Sequence, residues 1–263
     1  MNAHPDKRWV GRSFGAAAAG YDGVAGLQRG IAERLLSRLA ADGAPPAVVV
    51  DVGAGTGYGA ARLREAYPGS RLVLLDIAEG MLRTARERIG PGACYLRGDA
   101  EALPLAEASV DLVFSNLAIQ WCADLAGVFR EFRRVLKPGG RVLFSTFGAD
   151  TLAELRRAWA VADPGHTHVN EFTDAAEVGE ALAGAGFVRA GVERETRRLH
   201  YADVHALMRE LKGLGAHNIT ADRPRHLTGK RTLRRMLDAY AAQGGEGGIQ
   251  AGFEAVYGRA SKP

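Results

Sequence analysis

The run Val50-Asp51-Val52-Gly53-Ala54-Gly55-Thr56-Gly57 joins an apolar stretch to a helix-forming one. Glycines at alternate positions let the backbone turn tightly and let a ligand approach it, because no Cβ stands in the way. The amides of a following helix start favour a group with negative charge. A plain turn with no ligand could use the same glycines. Gly55-x-Gly57-x-x-Ala60 also satisfies the looser dinucleotide fingerprint, so this loop alone leaves the nucleotide open. Asp76, closing the second apolar run, could hold ribose hydroxyls with either nucleotide, or cap the helix that follows. Asp51 sits inside an apolar run, where a carboxylate needs partners. It is expected to organise the loop through hydrogen bonds. Asp163, His166 and His168 lack the H-E-x-x-H spacing and are far in sequence from Cys94 and Cys122, so no metal is expected.

The elements that must position these residues can be read from periodicity. Residues 47–52, 71–75, 93–97, 110–115 and 141–147 are short apolar runs expected as strands, with helices at 59–67, 79–89 and 124–136 between them. In the last of these helices Leu125, Val128, Phe129, Phe132 and Leu136 share one face, and Lys137-Pro138-Gly139-Gly140 is expected to stop it. Alternating strands and helices imply a mostly parallel sheet covered on both sides, with ligands beyond the strands' carboxyl ends. Ahead of the sheet, Leu27, Ile31, Leu35 and Leu39 make an apolar helical stripe that Asp22 is expected to cap. A basic arm with Trp9, Phe14 and Tyr21 precedes it. Beyond residue 149 the rhythm breaks. Helices are expected at 150–162, 174–185, 203–213 and 228–242, with strands near 187–199 and 250–259. The helical pair between those last strands reads as a lid inserted into one single domain, at about residues 200–245, and residues 1–46 read as a helical cap.

The chain has 263 residues, 47% of them apolar and 24% charged, which fits a globular chain and argues against disorder. Two cysteines make no disulfide scaffold. No apolar run approaches the roughly 18 residues of a membrane span, and the opening residues lack a signal peptide's apolar segment. The expectation is a soluble, reduced, cytoplasmic protein. The net charge of +4 is mild, but residues 205–235 carry eight cations against two acids, a net of +6. Such a patch steers an acidic partner, and charge alone would suit RNA nearly as well.

Several motifs in order narrow the reading. Asp51 followed by Gly53-x-Gly55-x-Gly57 resembles the first motif of S-adenosylmethionine-dependent methyltransferases. In that superfamily an acid after the second strand binds the ribose hydroxyls, matching Asp76. An acid after the third strand lies by the adenine, matching Asp99, with Ala100 beside it. Residues 111–116 resemble the fourth-strand motif, whose end reaches the methionine and the substrate. The resemblance implies a class I Rossmann-like α/β fold, with seven mostly parallel strands and the last antiparallel.

More specifically, residues 14–22 (FGAAAAGYD), 115–122 (SNLAIQWC), 152–159 (LAELRRAW), 168–172 (HVNEF), 207–218 (LMRELKGLGAHN) and 225–228 (RHLT) resemble the malonyl-acyl-carrier-protein O-methyltransferase family of biotin synthesis. The similarity covers about residues 10–245. It implies methyl transfer from S-adenosylmethionine to the free carboxylate of a malonyl thioester on acyl carrier protein, leaving S-adenosylhomocysteine. A carboxylate is already a nucleophile near pH 7, so no general base is expected.

Tyr21 matches the family's N-terminal tyrosine and could donate to the malonyl carboxylate. Arg209, off the apolar stripe of Val204, Leu207, Met208 and Leu211, is the best cationic candidate for that carboxylate. Asn116 and Gln120 are expected at the cofactor, Trp121 as a pocket wall, and His168 as part of the acyl pocket. Lys212, His217, Asn218, Arg225, Arg231 and Arg234 are candidates for the substrate arm and the acidic carrier. Each has a plainer reading, such as core packing for Trp121 and a solvated face for the lid cations. The family commonly carries a Thr-Tyr pair near its last strand, where this chain reads Gly248-Ile249-Gln250. The rival readings are a methyltransferase acting on another small molecule or on RNA, a nicotinamide dehydrogenase, which leaves Asp99 unexplained, and a cofactor sensor without turnover.

Overall fold

The computed structural model describes residues 6–39, 44–216, 218, 228–243 and 248–263. Two helices lead, α1 (Lys7–Val24) and α2 (Gly26–Leu36). The sheet units follow in alternation: β1 (Val48–Val52), α3 (Tyr58–Ala66), β2 (Arg71–Asp76), α4 (Glu79–Ile89), β3 (Cys94–Arg97), β4 (Val110–Asn116), α5 (Leu125–Val135) and β5 (Leu136–Phe147). Then come α6 (Ala153–Ala162), α7 (Ala175–Gly184), β6 (Val188–Tyr201), α8 (Val204–Gly213), α9 (Lys230–Ala241) and β7 (Ile249–Ser261).

The seven strands form one sheet in the order β3-β2-β1-β4-β5-β7-β6. Five neighbouring strands run parallel, and β7 is antiparallel to both of its neighbours. This is the class I methyltransferase sheet that the motifs imply. Side chains alternate across it. Val49, Leu72, Leu74, Leu112 and Leu143 face a core shared with α2, α3, α4 and α6. Val50, Val52, Val73, Val113 and Phe144 face the core of α5 and α7. The chain leaves β1 in one direction across the sheet and reaches β4 in the other. That switch opens a crevice at the carboxyl ends of β1 and β4.

The basic arm before residue 22 is the helix α1, part of the helical cap expected over residues 1–46; Asp6 caps it, its carboxylate accepting from the Arg8 amide at 2.9 Å. Two local expectations are corrected. Asp22 does not cap α2, which begins at Gly26 with no side-chain cap. It lies in the last turn of α1 and accepts from the Thr56 hydroxyl at 2.7 Å and from Arg88, tying that helix to the glycine loop and α4. Lys137–Gly140 does not end in a turn but continues β5, because the Lys137 amine reaches Asp111 at 2.9 Å and the Gly139 amide donates to the Lys262 carbonyl.

The pair α8 and α9 falls between β6 and β7 in sequence. Asp203 caps α8 by accepting from the Ala206 amide at 2.7 Å. The α9 helix is fastened at its middle and near its C-terminal end: Arg235 donates to the Val161 carbonyl at 2.9 Å, and Tyr240 to the Gln250 carbonyl at 2.9 Å. The Ser13 hydroxyl donates to the Gly215 carbonyl at 2.8 Å, holding the end of α8 against α1. No helix among the described residues is long and apolar enough to cross a membrane.

Candidate active site

The glycine loop is built at the mouth of the crevice. Gly53, Gly55 and Gly57 have φ values of 72°, 54° and 82°, the left-handed region that other residues resist. Their reasons differ. A Cβ on Gly53 would stand 2.1 Å from that of Ala118, so this glycine lets β1 and the turn after β4 meet. The missing Cβ of Gly55 opens onto a cavity, with no atom within 4 Å of its place. Gly57 turns away from the cavity and packs on Ala85 of α4, where a Cβ would come to 3.1 Å.

That cavity also takes in Lys7 and Phe14 of α1 and Met81 of α4. Asp76, at its wall, is buried. Its carboxylate accepts from the amides of Gly55 and Ala78, both at 2.8 Å. Two amide donors leave lone pairs on a carboxylate for further donors such as ribose hydroxyls. Burial pushes its pKa up despite those amides. Asp51 is buried behind the loop and accepts from the Ala60 amide. Burial, with the Asp76 charge second, pushes its pKa to about 7. Asp51 thereby ties the end of β1 to the first turn of α3, just past the loop.

Asp99 and Ala100 line the far end of the cavity. Asp99 is occupied by Lys7 of α1, whose amine lies 2.5 Å away and also contacts Glu101. Asn116 lines the same cavity and is held by two bonds: its Oδ1 accepts from Ser145 at 2.8 Å and its amide donates to the Gln28 carbonyl at 3.2 Å. Tyr21 lines both this cavity and a smaller cleft under the glycine loop. Burial and then the Asp76 and Asp22 charges push its phenol pKa up, so it stays a neutral donor. Gln120 is the exception. The 3₁₀ turn Ile119–Trp121 points its amide back to the Leu117 carbonyl at 2.8 Å, and it lines neither the cavity nor the cleft.

Trp121 follows in that turn and stands between the cavity and a larger chamber. Phe14 meets its ring edge-on at 5.3 Å. The chamber is walled by Phe147, Phe172 and Phe253 and by Trp159, on which His168 stacks at 3.7 Å with the rings 4° from parallel. Asp163 orients that histidine from 2.8 Å. Arg209 and Lys212 of α8 line the chamber and are exposed. Asn218 also lines it and donates to the Thr167 carbonyl. Arg231 and Arg234 are exposed on α9 and are not part of the wall; Arg234 pairs with Asp238 at 3.2 Å. His217 and Arg225 lie outside the described residues.

Among the site residues not expected from sequence are Lys7, Gln28 and Arg29. Gln28 and Arg29 flank the apolar stripe of α2 and look like its wet side. Only the docking of α2 beneath the glycine loop turns them inward. Among the described residues no group of three or more His, Cys, Asp or Glu side chains is placed to hold a metal ion. A loop that admits close approach, two carboxylates spaced along one cavity and an open Gly55 face fit S-adenosylmethionine.

A family model described as a methyltransferase domain matches residues 50–144. Among curated proteins, the malonyl-[acyl-carrier protein] O-methyltransferase of Methylococcus capsulatus is 52% identical over 96% of this chain and 92% of its own length. That of Nitrosospira multiformis is 44% identical over 98% and 90%. The biotin biosynthesis bifunctional protein BioHC of Cellvibrio japonicus is 43% identical over 98% of this chain and 51% of its own. Among solved structures, phosphoethanolamine N-methyltransferase 2 of Haemonchus contortus in complex with S-adenosyl-L-methionine superposes with a TM-score of 0.58, at 18% identity, over 95% of this chain and 57% of that one. The [4+2]-cyclase SpnF does so with a TM-score of 0.61, at 18% identity, over 100% and 98%. That a cyclase shares this fold limits these structural likenesses to the fold itself.

Proposed function

The chain belongs to the malonyl-acyl-carrier-protein O-methyltransferase family, and from that premise we propose that it transfers a methyl group from S-adenosylmethionine to the free carboxylate of malonyl-acyl carrier protein. The products are the malonyl methyl ester, still a thioester on its carrier, and S-adenosylhomocysteine. The step would mask a charged acyl end early in biotin synthesis. What carries the reading is the meeting, at Trp121, of a cavity lined by the glycine loop, Asp76 and Asp99 with an aromatic-walled chamber.

S-adenosylmethionine supplies, when bound, a methyl group already activated on a cationic sulfur. Asp76 would hold the ribose hydroxyls, Asp99 the adenine amine with Ala100 against the ring, and Gly55 would allow the close backbone approach. Arg29, beside that loop, would face the methionine carboxylate. The attacking carboxylate needs no base. The remaining work is alignment and exclusion of water. Tyr21, kept protonated, donates without accepting a proton in return. Trp121 and Phe14 close the junction.

Arg209 and Lys212 are exposed on the chamber wall, a place that suits the phosphopantetheine arm and its acidic carrier. Arg231 and Arg234 extend the positive face. The helical pair α8 and α9 would act as the lid under which the arm enters.

The direct test is to incubate the protein with S-adenosylmethionine and malonyl-acyl carrier protein and weigh the intact carrier. A gain of one methylene on the malonyl form, with none on the unacylated carrier, supports the reading. No gain from protein that binds the cofactor by calorimetry contradicts it.

A further inference from the structure

The chamber meets the cofactor side at a second residue besides Trp121. Gln28 of α2 lines both the cleft under the glycine loop and the chamber. Its Oε1 is buried, and no described protein group donates to it. Leaving a buried amide oxygen unpaired is unfavourable, so such a group marks a place where a ligand completes the bonding. The backbone beneath it is fixed, since Asn116 donates to the Gln28 carbonyl at 3.2 Å and is itself held by Ser145.

We propose that Gln28 is the residue that receives the acyl substrate's free carboxylate at the point of methyl transfer. This rests on the methyltransferase reading above. The amide oxygen and nitrogen have nearly the same shape, so a half-turn of the last side-chain torsion brings two N–H donors to the buried position. A neutral donor suits the reaction better than a cation. The carboxylate loses its charge as the methyl arrives, so a tight ion pair would stabilise the substrate more than the transition state. An amide bonds the carboxylate before transfer and the ester carbonyl after it. Arg209 and Lys212 are exposed on the outer wall, which leaves the inner, desolvated position to Gln28.

The competing assignment is that the Gln28 oxygen accepts from the cofactor's ammonium group. Two variants separate them, Gln28→Glu and Gln28→Leu, each measured beside the wild type for S-adenosylmethionine affinity by calorimetry and for turnover of malonyl-acyl carrier protein. In Gln28→Glu the new carboxylate repels the substrate carboxylate, so kcat/KM at pH 8 falls by about 100-fold or more. It recovers severalfold toward pH 5.5 as the new carboxyl gains a proton, while the malonyl carboxylate stays ionised. Gln28→Leu loses about 30-fold with no such recovery. Cofactor affinity stays within about threefold in both.

Ordinary kinetics in both variants would overturn the assignment. Weakened cofactor binding with an unchanged KM for the carrier would overturn it in favour of the ammonium. Should the glutamate variant not fold, the leucine variant decides by the same split. A wild type that methylates no malonyl carrier would instead remove the methyltransferase reading, and this inference with it.

Discussion

The carboxylate of Asp76, at the end of β2, accepts from the amide of Gly55, in the turn after β1, at 2.8 Å. The residue proposed to hold the cofactor's ribose thus also fixes the loop that the cofactor approaches. Two neighbouring strand ends form one binding edge.

Replacing Asp76 by Asn turns one acceptor into a donor facing the Gly55 or Ala78 amide. Charge-assisted hydrogen bonds of this kind contribute roughly 1.5–3 kcal/mol each. Asp76→Asn is expected to lower unfolding stability by about 2 kcal/mol and to weaken S-adenosylmethionine binding by about 30-fold. Denaturant titration and calorimetry check the two effects separately.

Asp51 gives a pH signature. Its carboxyl ionises near the ordinary 3.8 in the unfolded chain and near 7 in the fold, because of burial. Between these values the folded state holds a proton that the unfolded state has released. Stability from this group therefore falls as pH rises from about 4 to 7 and levels off above. Asp51→Asn lacks that dependence. The difference in Tm, variant minus wild type, should grow over this window and be flat beyond it. A constant difference from pH 4 to 8 would contradict the account.

Lys7 holds the start of α1 over the cavity through Asp99 and Glu101, with about a third of the lysine side chain exposed. An ion pair this accessible contributes about 1 kcal/mol or less. Lys7→Ala should leave Tm nearly unchanged. It should speed both association and dissociation of the cofactor by up to about fivefold, because α1 is no longer held over the cavity. Stopped-flow fluorescence of the tryptophans reads both rates.

The exposed cations of α8 should act on the carrier and not on the cofactor. Arg209→Glu with Lys212→Glu is expected to raise the KM for malonyl-acyl carrier protein by about tenfold at low salt. Most of that effect should vanish at 0.5 M salt, where screening is short-ranged. The KM for S-adenosylmethionine should not move. An equal effect at both salt concentrations would assign these residues to direct substrate contact.

How far the sequence was legible depends on the range of the interactions. The strands and the helix α5 follow from local periodicity, since Val128, Phe129, Phe132 and Val135 can bury only one helical face. The glycine loop and Asp76 were legible because backbone conformation restricts the residue types that fit there. The boundary between α1 and α2 was not: the break at Ala25 that makes Asp22 a tether is set by packing. The inward turn of Gln28, the reach of Lys7 to Asp99 and the turning back of Gln120 are long-range or turn-specific outcomes, invisible to spacing. The strand extension at Lys137 likewise depends on partners at Asp111 and Lys262.

The measurement that tests the central claim most directly is transfer of labelled methyl from S-adenosylmethionine to malonyl-, succinyl- and acetyl-acyl carrier protein in parallel. The account predicts label on the malonyl carrier that mild base releases, as from a carboxyl methyl ester, and none on the acetyl carrier, which has no free carboxylate. Label on the acetyl carrier, or none on the malonyl carrier from folded protein that binds the cofactor, would contradict it.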